Sequence, residues 1–262
     1  MTVQLRAVEV ADLPGVHSLI RESFEEALHP YMISTQAGTE TYLRVFVEHA
    51  ALYPDRRFLL AESPTGTLLG YAEFRLLEGH IGFLSYICVS SAARGRGVAT
   101  RLIEQYLAAT PEADSMQLDV FTHNHPARCL YRKLGFVEQQ ETIWWHRVCP
   151  PPQSAAGSGL RFDDLPSALA AWHRYGFCEW RGTFRGAPFR LGRMGAGVLR
   201  CFRADDMADD ALLAGLRGVF PALTEVLAIL PAGESPSVRA TEINRSVRML
   251  WAHPRPVETV CG

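Results

Sequence analysis

Arg94-Gly95-Arg96-Gly97-Val98-Ala99 is the stretch whose residue types and spacing most plainly suit a chemical task. Glycines let a backbone approach a ligand closely and take conformations that a Cβ would forbid. The first turn of a helix offers unpaired N–H groups at the positive end of its dipole, which together suit a phosphate. Arg94 and Arg96 add guanidinium groups able to form charge-assisted bonds to it. The stretch is not Gly-x-x-x-x-Gly-Lys-Ser/Thr, which excludes the nucleoside-triphosphate loop, and it lacks the three-glycine dinucleotide fingerprint.

The flanking pattern sets this loop between a strand and a helix. Phe83, Leu84, Tyr86, Ile87 and Val89 form an apolar run bounded by Ser90 and Ser91, and Val98, Leu102, Ile103 and Tyr106 recur at helical spacing. Upstream, Val3 to Val8 reads as an opening strand and Asp12 as an N-cap. Leu13, Val16, Leu19, Ile20 and Phe24 form the inner face of a first helix, and a second is expected from Thr39 to Ala51. Arg57 to Glu62 and Leu68 to Leu77 read as strands joined at Pro64-Thr65-Gly66, with Glu78-Gly79-His80 turning into the central strand. Downstream come a strand over Met116 to Phe121, a helix over Asn124 to Leu134 closed by Gly135, and a strand over Thr142 to Val148. The order β-α-α-β-β-β-α-β-α-β is that of an α/β fold.

The loop resembles the pyrophosphate loop of the GNAT superfamily of acyl-CoA-dependent N-acyltransferases, whose pattern Gln/Arg-x-x-Gly-x-Gly/Ala is met by Arg94, Gly97 and Ala99. Asn124-x-x-Ala127-x-x-Leu130-Tyr131-x-Lys133-Leu134-Gly135-Phe136 is similar to that family's closing helix at every usual position. The resemblance covers residues 1–149. It implies a GNAT fold, a mixed β-sheet splayed near its middle and flanked by helices, and acetyl-CoA or another acyl-CoA as co-substrate. It further implies that backbone groups of Ile87, Cys88 and Val89 hold the pantetheine arm. The pyrophosphate would lie on Arg94, Gly95, Arg96, Gly97, Val98, Ala99 and Thr100. Asn124 and Ala127 would stand beside the arm, Asn124 bonding to it or to an ordered water. Tyr131 matches the family's usual general acid for the coenzyme A thiolate, and a free phenol pKa of about 10 suits a thiolate of similar basicity.

Acyl transfer to an amine requires a neutral amine, a stabilised oxyanion and a protonated leaving thiolate. Glu73 in the third strand is one candidate base and His123 another; His80 and Ser85 are weaker choices, and a site without a dedicated side-chain base remains open. No carboxylate or thiol accompanies His123 and His125 at a ligand spacing, so no metal is expected. The reading that follows is an N-acetyltransferase acting on a primary amine of a small molecule, peptide or protein. The alternatives are an acyl-CoA-binding sensor and an acyltransferase with a non-amine acceptor. Intact Asn124 and Tyr131 favour the enzyme, since a sensor needs the phosphate loop but no thiolate acid.

Composition is consistent with this. The net charge of −2 argues against nucleic-acid binding through a basic surface. Six scattered cysteines without a C-x-x-C pair fit reduced thiols in a cytoplasm, and neither a signal segment nor a run of membrane-spanning length is apparent.

Residues 150–160, rich in Pro, Ser, Ala and Gly, read as a linker to a smaller α+β domain over 161–262. In that domain a helix is expected from Leu165 to Tyr175, stopped by Gly176. Strands punctuated by Gly186 and Gly195 follow, then a helix begun by Asp206 or Asp209 and running through Leu216. Leu223 to Leu230 and Ser237 to Trp251 are undecided between helix and strand. Ala168 to Phe177 echoes Ala127 to Phe136, as a degenerate second GNAT copy would, but the two lie too close together for a full copy, no second phosphate loop stands in a matching place, and any helix ending on a glycine before a strand gives such an echo. Arg174, Arg181, Arg185, Arg190, Arg193, Arg200 and Arg203 read either as solvated strand faces, the ordinary explanation, or as a pocket for an anion. A substrate lid, a dimer interface (hence a homodimer) or a partner surface each fit this domain.

Overall fold

The computed structural model describes residues 2–152 and 159–252. The middle of the linker, 153–158, and residues 253–262, Cys261 among them, lie outside the described residues.

In chain order, strand β1 (Gln4–Ala7) leads through helices α1 (Leu13–Ser23) and α2 (Thr39–Glu48) to a meander of β2 (Arg56–Glu62), β3 (Leu68–Leu77) and β4 (Ile81–Val89). Helix α3 (Val98–Ala109), strand β5 (Ser115–Phe121), helix α4 (His125–Lys133) and strand β6 (Val137–Val148) complete the first passage. The second passage runs β7 (Leu160–Phe162), α5 (Leu165–Tyr175), β8 (Phe177–Phe184), β9 (Ala187–Met194), β10 (Val198–Cys201), α6 (Ala204–Ala208), α7 (Asp210–Val219), β11 (Glu225–Pro231) and β12 (Thr241–Ala252). The two undecided C-terminal segments are thus strands.

Asp12 does not cap α1 with its side chain; its carboxylate instead accepts the Glu9 N–H at 2.8 Å, closing a tight turn ahead of the helix. Phe24 falls just outside α1, whose C-cap it forms. Asp209 rather than Asp206 starts the later long helix, accepting the Leu212 N–H at 2.9 Å, while Asp206 is engaged by Arg203.

The second passage repeats the first. In each, three antiparallel pairings lead to a strand that is joined through helix to a parallel neighbour: β1-β2-β3-β4 then β5, and β7-β8-β9-β10 then β11. Their last strands are exchanged, β12 lying beside β5 and β6 beside β11. The sequence echo is not the mark of this repeat. It matches α4 to α5, whereas by position between first and second strand α5 corresponds to the α1–α2 segment. What α4 and α5 share is a glycine of positive φ directly or closely after the helix, Gly135 at 90° and Gly176 at 80°.

Because of this exchange the compact units cut the chain elsewhere than at the linker. Among the described residues, one unit gathers 2–7, 53–140 and 247–252, and the other 8–52 and 141–246. In the first, α3 lays Val98, Leu102, Ile103 and Tyr106 on the meander, with Met116, Leu118, Val247 and Met249 extending the core. Tyr106 stacks on Phe74 with ring centres 4.2 Å apart, and Gly70 leaves room for Val98, whose Cγ1 would lie 2.8 Å from a Cβ there. Arg248 of β12 forks onto Asp119 of β5 at 2.6 and 2.8 Å.

In the second unit, Leu212, Leu213 and Leu216 of α7 cover Leu199, Val226, Ala228 and Leu230. The α1–α2 segment belongs here for local reasons. Tyr31 donates to Glu225 at 2.5 Å, Tyr42 meets Tyr175 and Phe177 edge-on, and Gly38 abuts the backbone of Tyr175 so closely that a Cβ would come within 2.4 Å of it.

Candidate active site

Strand β4 is paired with β3 along its length but with β5 only from Ile81 to Leu84, opposite Ser115 to Leu118. The cause is local. Glu73 faces Tyr86 and Phe74 faces Leu84, so Ser85 is an extra residue bulged from β4. A bulge bends its strand and sharpens the twist, and from Ser85 onward β4 and β5 are no longer partners. The bulge also resets the alternation of faces. Leu84, Ile87 and Val89 look to the α3 core, and Tyr86 and Cys88 to the opposite face with Tyr71 and Glu73.

The stretch of β4 that has parted from β5 leads through the short turn Ser91–Ala93 to the glycine loop. Gly95 and Gly97 have φ of 72° and 75°, and a Cβ on either would meet nothing within 4 Å. Their left-handed backbone demands glycine, and the space above them is open. Gly97 is the N-cap of α3 and no side chain caps this twelve-residue helix, so the N–H groups of its first turn face that open space. Arg94 and Arg96 are exposed at the loop, Arg94 turning its Nε toward the Val89 carbonyl at 3.3 Å. Val98 is buried as the anchor of the helix, with Ala99 and Thr100 half-buried beside it. A phosphate-bearing ligand fits such a cradle, having open room, uncapped donors and two guanidinium groups at its edge.

Helix α4 begins at Asn124, whose Oδ1 accepts the Ala127 N–H at 3.2 Å; the side-chain oxygen is thereby committed to the cap, leaving the amide NH2 for other partners. Arg128 and Arg132 both bond Glu138, tying the helix to β6. One turn inward, Tyr131 is 4% exposed and meets Phe136 edge-on. Burial raises its hydroxyl above the ordinary phenol range, and the nearby Cys88 thiol adds to the effect.

Glu73 is 7% exposed, with Oε1 3.5 Å from Arg56 Nη1 and Oε2 accepting from the Tyr71 hydroxyl at 3.5 Å. Burial pushes its carboxyl up to about 7, against the pull of Arg56 and Arg75. Tyr71, wholly buried, is raised by burial and then by the neighbouring Glu73 and Cys88. Cys88 therefore sits close enough to act electrostatically on both Tyr71 and Tyr131, and one face of β3 and β4 links Glu73, Tyr71 and Cys88 toward the α4 tyrosine. Tyr71 and Arg56 were not singled out in the sequence; the available signal for Tyr71 was its place two residues before Glu73, on the same strand face.

The other base candidates are placed differently. His123 is exposed and stacks on Phe121, and His125 is exposed in the first turn of α4. His80 lies in the turn before β4, at the end opposite the glycine loop, with φ of 58°. Among the described residues no group of three or more His, Cys, Asp or Glu side chains is placed to hold a metal, and no helix is long and apolar enough to cross a membrane.

The repeat in the second unit lacks this arrangement among its described residues. Strand β10 ends at Cys201, where its pairing with β11 also ends, so no free stretch follows. The passage to α7 contains Arg203, Asp205, Asp206 and Asp209 and no glycine, with Asp209 filling the N-terminus of α7. No helix separates β11 from β12, so α4 and its tyrosine have no counterpart.

A strand splayed at a bulge, a glycine turn onto an uncapped helix and a tyrosine on the following helix define an acyltransferase of the GNAT type. Residues 14–136 match the family model described as the acetyltransferase (GNAT) family, and over these residues the protein belongs to that family. Among curated proteins it is 27% identical over 147 residues to a probable glucosamine 6-phosphate N-acetyltransferase 2 of Oryza sativa subsp. japonica, covering 53% of this chain and 84% of that one. A GCN5-related N-acetyltransferase from Sphaerobacter thermophilus has the same fold over 95% of both chains, with a TM-score of 0.59 at 17% identity. The PaiA N-acetyltransferase of Thermoplasma acidophilum in complex with coenzyme A aligns over 53% of this chain and 92% of its own, with a TM-score of 0.46 at 17% identity.

Proposed function

We propose that the protein transfers the acetyl group of acetyl-CoA to a primary amine. The observation that carries the reading is the stretch of β4 that has parted from β5 and leads, through the short turn Ser91–Ala93, to the open, uncapped Gly95–Gly97 turn. In this reading Ile87, Cys88 and Val89 offer their backbone to the pantetheine arm, and Arg94 to Thr100 hold the pyrophosphate. The Asn124 amide and the Ala127 turn flank the arm.

The amine nitrogen attacks the thioester carbonyl, its new N–C bond replacing the C–S bond. The departing sulfur takes the proton of the Tyr131 hydroxyl, the ammonium proton passes, directly or through water, to the Glu73 carboxylate, and the Tyr131 phenolate regains a proton from solvent before the next turnover. A carboxyl near 7 is about half ionised at neutral pH, so it can accept a proton and return it to solvent in each turnover. Glu73 is favoured over His123 because it is buried on the face shared with Cys88. The relative named for a glucosamine phosphate makes a small amine the first acceptor class to try, with peptide amines next. The described cysteines are all free thiols, in keeping with a cytoplasmic setting.

Calorimetric titration with acetyl-CoA, paired with thiol release over an amine panel, tests the reading. Micromolar binding with amine-dependent release is the expected result. Binding without release for any amine would transfer the assignment to a sensor, and no binding would reduce the loop to a turn.

A further inference from the structure

Arg75 stands apart from the other half-buried arginines of the first unit. Arg6, Arg56, Arg128 and Arg248 each hold a carboxylate, those of Glu62, Glu73, Glu138 and Asp119. Arg75 is in no ion pair among the described residues, and its Nε is buried with no hydrogen-bond partner there. A buried donor without a partner keeps the full cost of having left water.

The register fixes where this side chain stands. Phe74 turns to the α3 core and stacks on Tyr106, so Tyr71, Glu73 and Arg75 share the opposite face of β3. On that face Arg56 of β2 is the direct cross-strand partner of Arg75, and Phe83 of β4 is its partner on the other side. Like charges directly opposite each other repel. Both guanidinium groups pull on Glu73, but the ion pair, at 3.5 Å, is with Arg56. Asp119, on the same face of β5, is already forked by Arg248 at 2.6 and 2.8 Å. Two arginines therefore share one buried acid. An anion bridging them would relieve the repulsion, and Arg75 breaks no side-chain bond in turning to meet it. The position suits an acceptor. Glu73 lies opposite Tyr86, just past the bulge where β4 has parted from β5, and Arg75 lies two residues along β3, about 7 Å away. A small molecule lying along β3 with its amine at Glu73 brings its far end onto Arg75, beside the Phe83 ring.

We infer that the acceptor is a small amine that also carries an anionic group, a phosphate or a carboxylate, and that Arg75, with Arg56, binds that group. The inference rests on the acetyl-transfer reading with Glu73 as the base. A polycationic amine is disfavoured on this face by the same two charges.

The test is calorimetric titration of the full chain, with coenzyme A present, with 3-aminopropyl phosphate, 4-aminobutanoate, the uncharged-tail 4-aminobutanamide and 1,4-diaminobutane. Thiol release from acetyl-CoA is followed with the same amines. An anionic amine should bind roughly tenfold or more tighter than the amide, with the diamine weakest, and the tighter of the two anionic probes tells phosphate from carboxylate. Arg75→Met should bring the ratio of anionic amine to amide close to one, and Arg75→Glu should turn the preference toward the diamine. Equal affinity for the anionic amines and the amide in the unmutated protein overturns the inference, independently of whether any variant folds. A preference that survives Arg75→Met overturns the part given to Arg75. Thiol release with the amide or the diamine alone overturns the inference and leaves acetyl transfer standing. Selective binding that Arg75→Met abolishes, without thiol release from any of these amines, keeps the anion site and overturns its assignment to an acceptor. No affinity for any of them overturns the site.

Discussion

Replacing Glu73 by glutamine keeps the shape of the side chain and removes its charge, so it isolates what the buried carboxyl does. In the folded protein this group titrates near 7, against an ordinary value of 4.5. Between those values the native state holds a proton that the unfolded chain has released. Stability therefore falls as pH rises from 4.5 to 7 and levels off above, by roughly 3 kcal/mol in all. Urea denaturation of the unmutated protein should show that decline, and Glu73→Gln should not, so the variant gains relative stability at pH 8 over pH 5. Kinetically, a base near 7 gives a kcat/KM that rises about tenfold per pH unit below 7 and flattens above. Glu73→Gln should lose that limb and fall by about 10²- to 10⁴-fold at its plateau. The acceptor's own ammonium titration adds a rise at higher pH common to both proteins. If thiol release by Glu73→Gln keeps both the limb and the rate while His123→Asn loses them, the assignment passes to His123 and the reasoning from burial is refuted.

Tyr131→Phe removes the hydroxyl from a buried ring; turnover should fall roughly 10²-fold with acetyl-CoA affinity nearly unchanged, and equal turnover would release Tyr131 from the acid's role. Gly97→Val places a branched side chain at φ 75° in the mouth of the cradle, costing about 1–2 kcal/mol of local strain and weakening acetyl-CoA binding at least tenfold by calorimetry. Gly38→Ala forces a Cβ to within 2.4 Å of the Tyr175 backbone, and a lowered urea midpoint worth more than about 2 kcal/mol is the expected result.

The cradle was legible because its requirements are local. Gly95 and Gly97 stand where φ must be positive, and Val98, Leu102, Ile103 and Tyr106 announce the helix that anchors it. The inward place of Tyr131 on its helix was legible through the pattern of that helix. The raised titration of Glu73, one of the candidate bases, was not, because it is set by burial and modulated by Arg56 and Tyr71, neighbours that only the folded sheet supplies. Strand β11 hid its period because Val226, Leu227 and Ala228 are all buried, leaving no alternation to read. Strand β12 hid its own because two of its buried positions are Asn244 and Ser246, the latter bonded to Thr142 at 2.8 Å. The exchange of β6 and β12 leaves no trace in periodicity, since either strand presents an acceptable edge to either neighbour.

That exchange reaches into how the protein is made. During synthesis from the N-terminus, β5 has no β12 beside it until residues 247–252 have emerged, long after the glycine loop and Tyr131 have been translated. In the meantime its edge is unpaired, and Asp119 waits for Arg248 of β12. An open edge invites the same strand from another nascent chain, which would pair as well as the chain's own. The unit that carries the glycine loop thus matures only once residues 247–252 have emerged, and crowded ribosomes translating this message are where entangled dimers would arise.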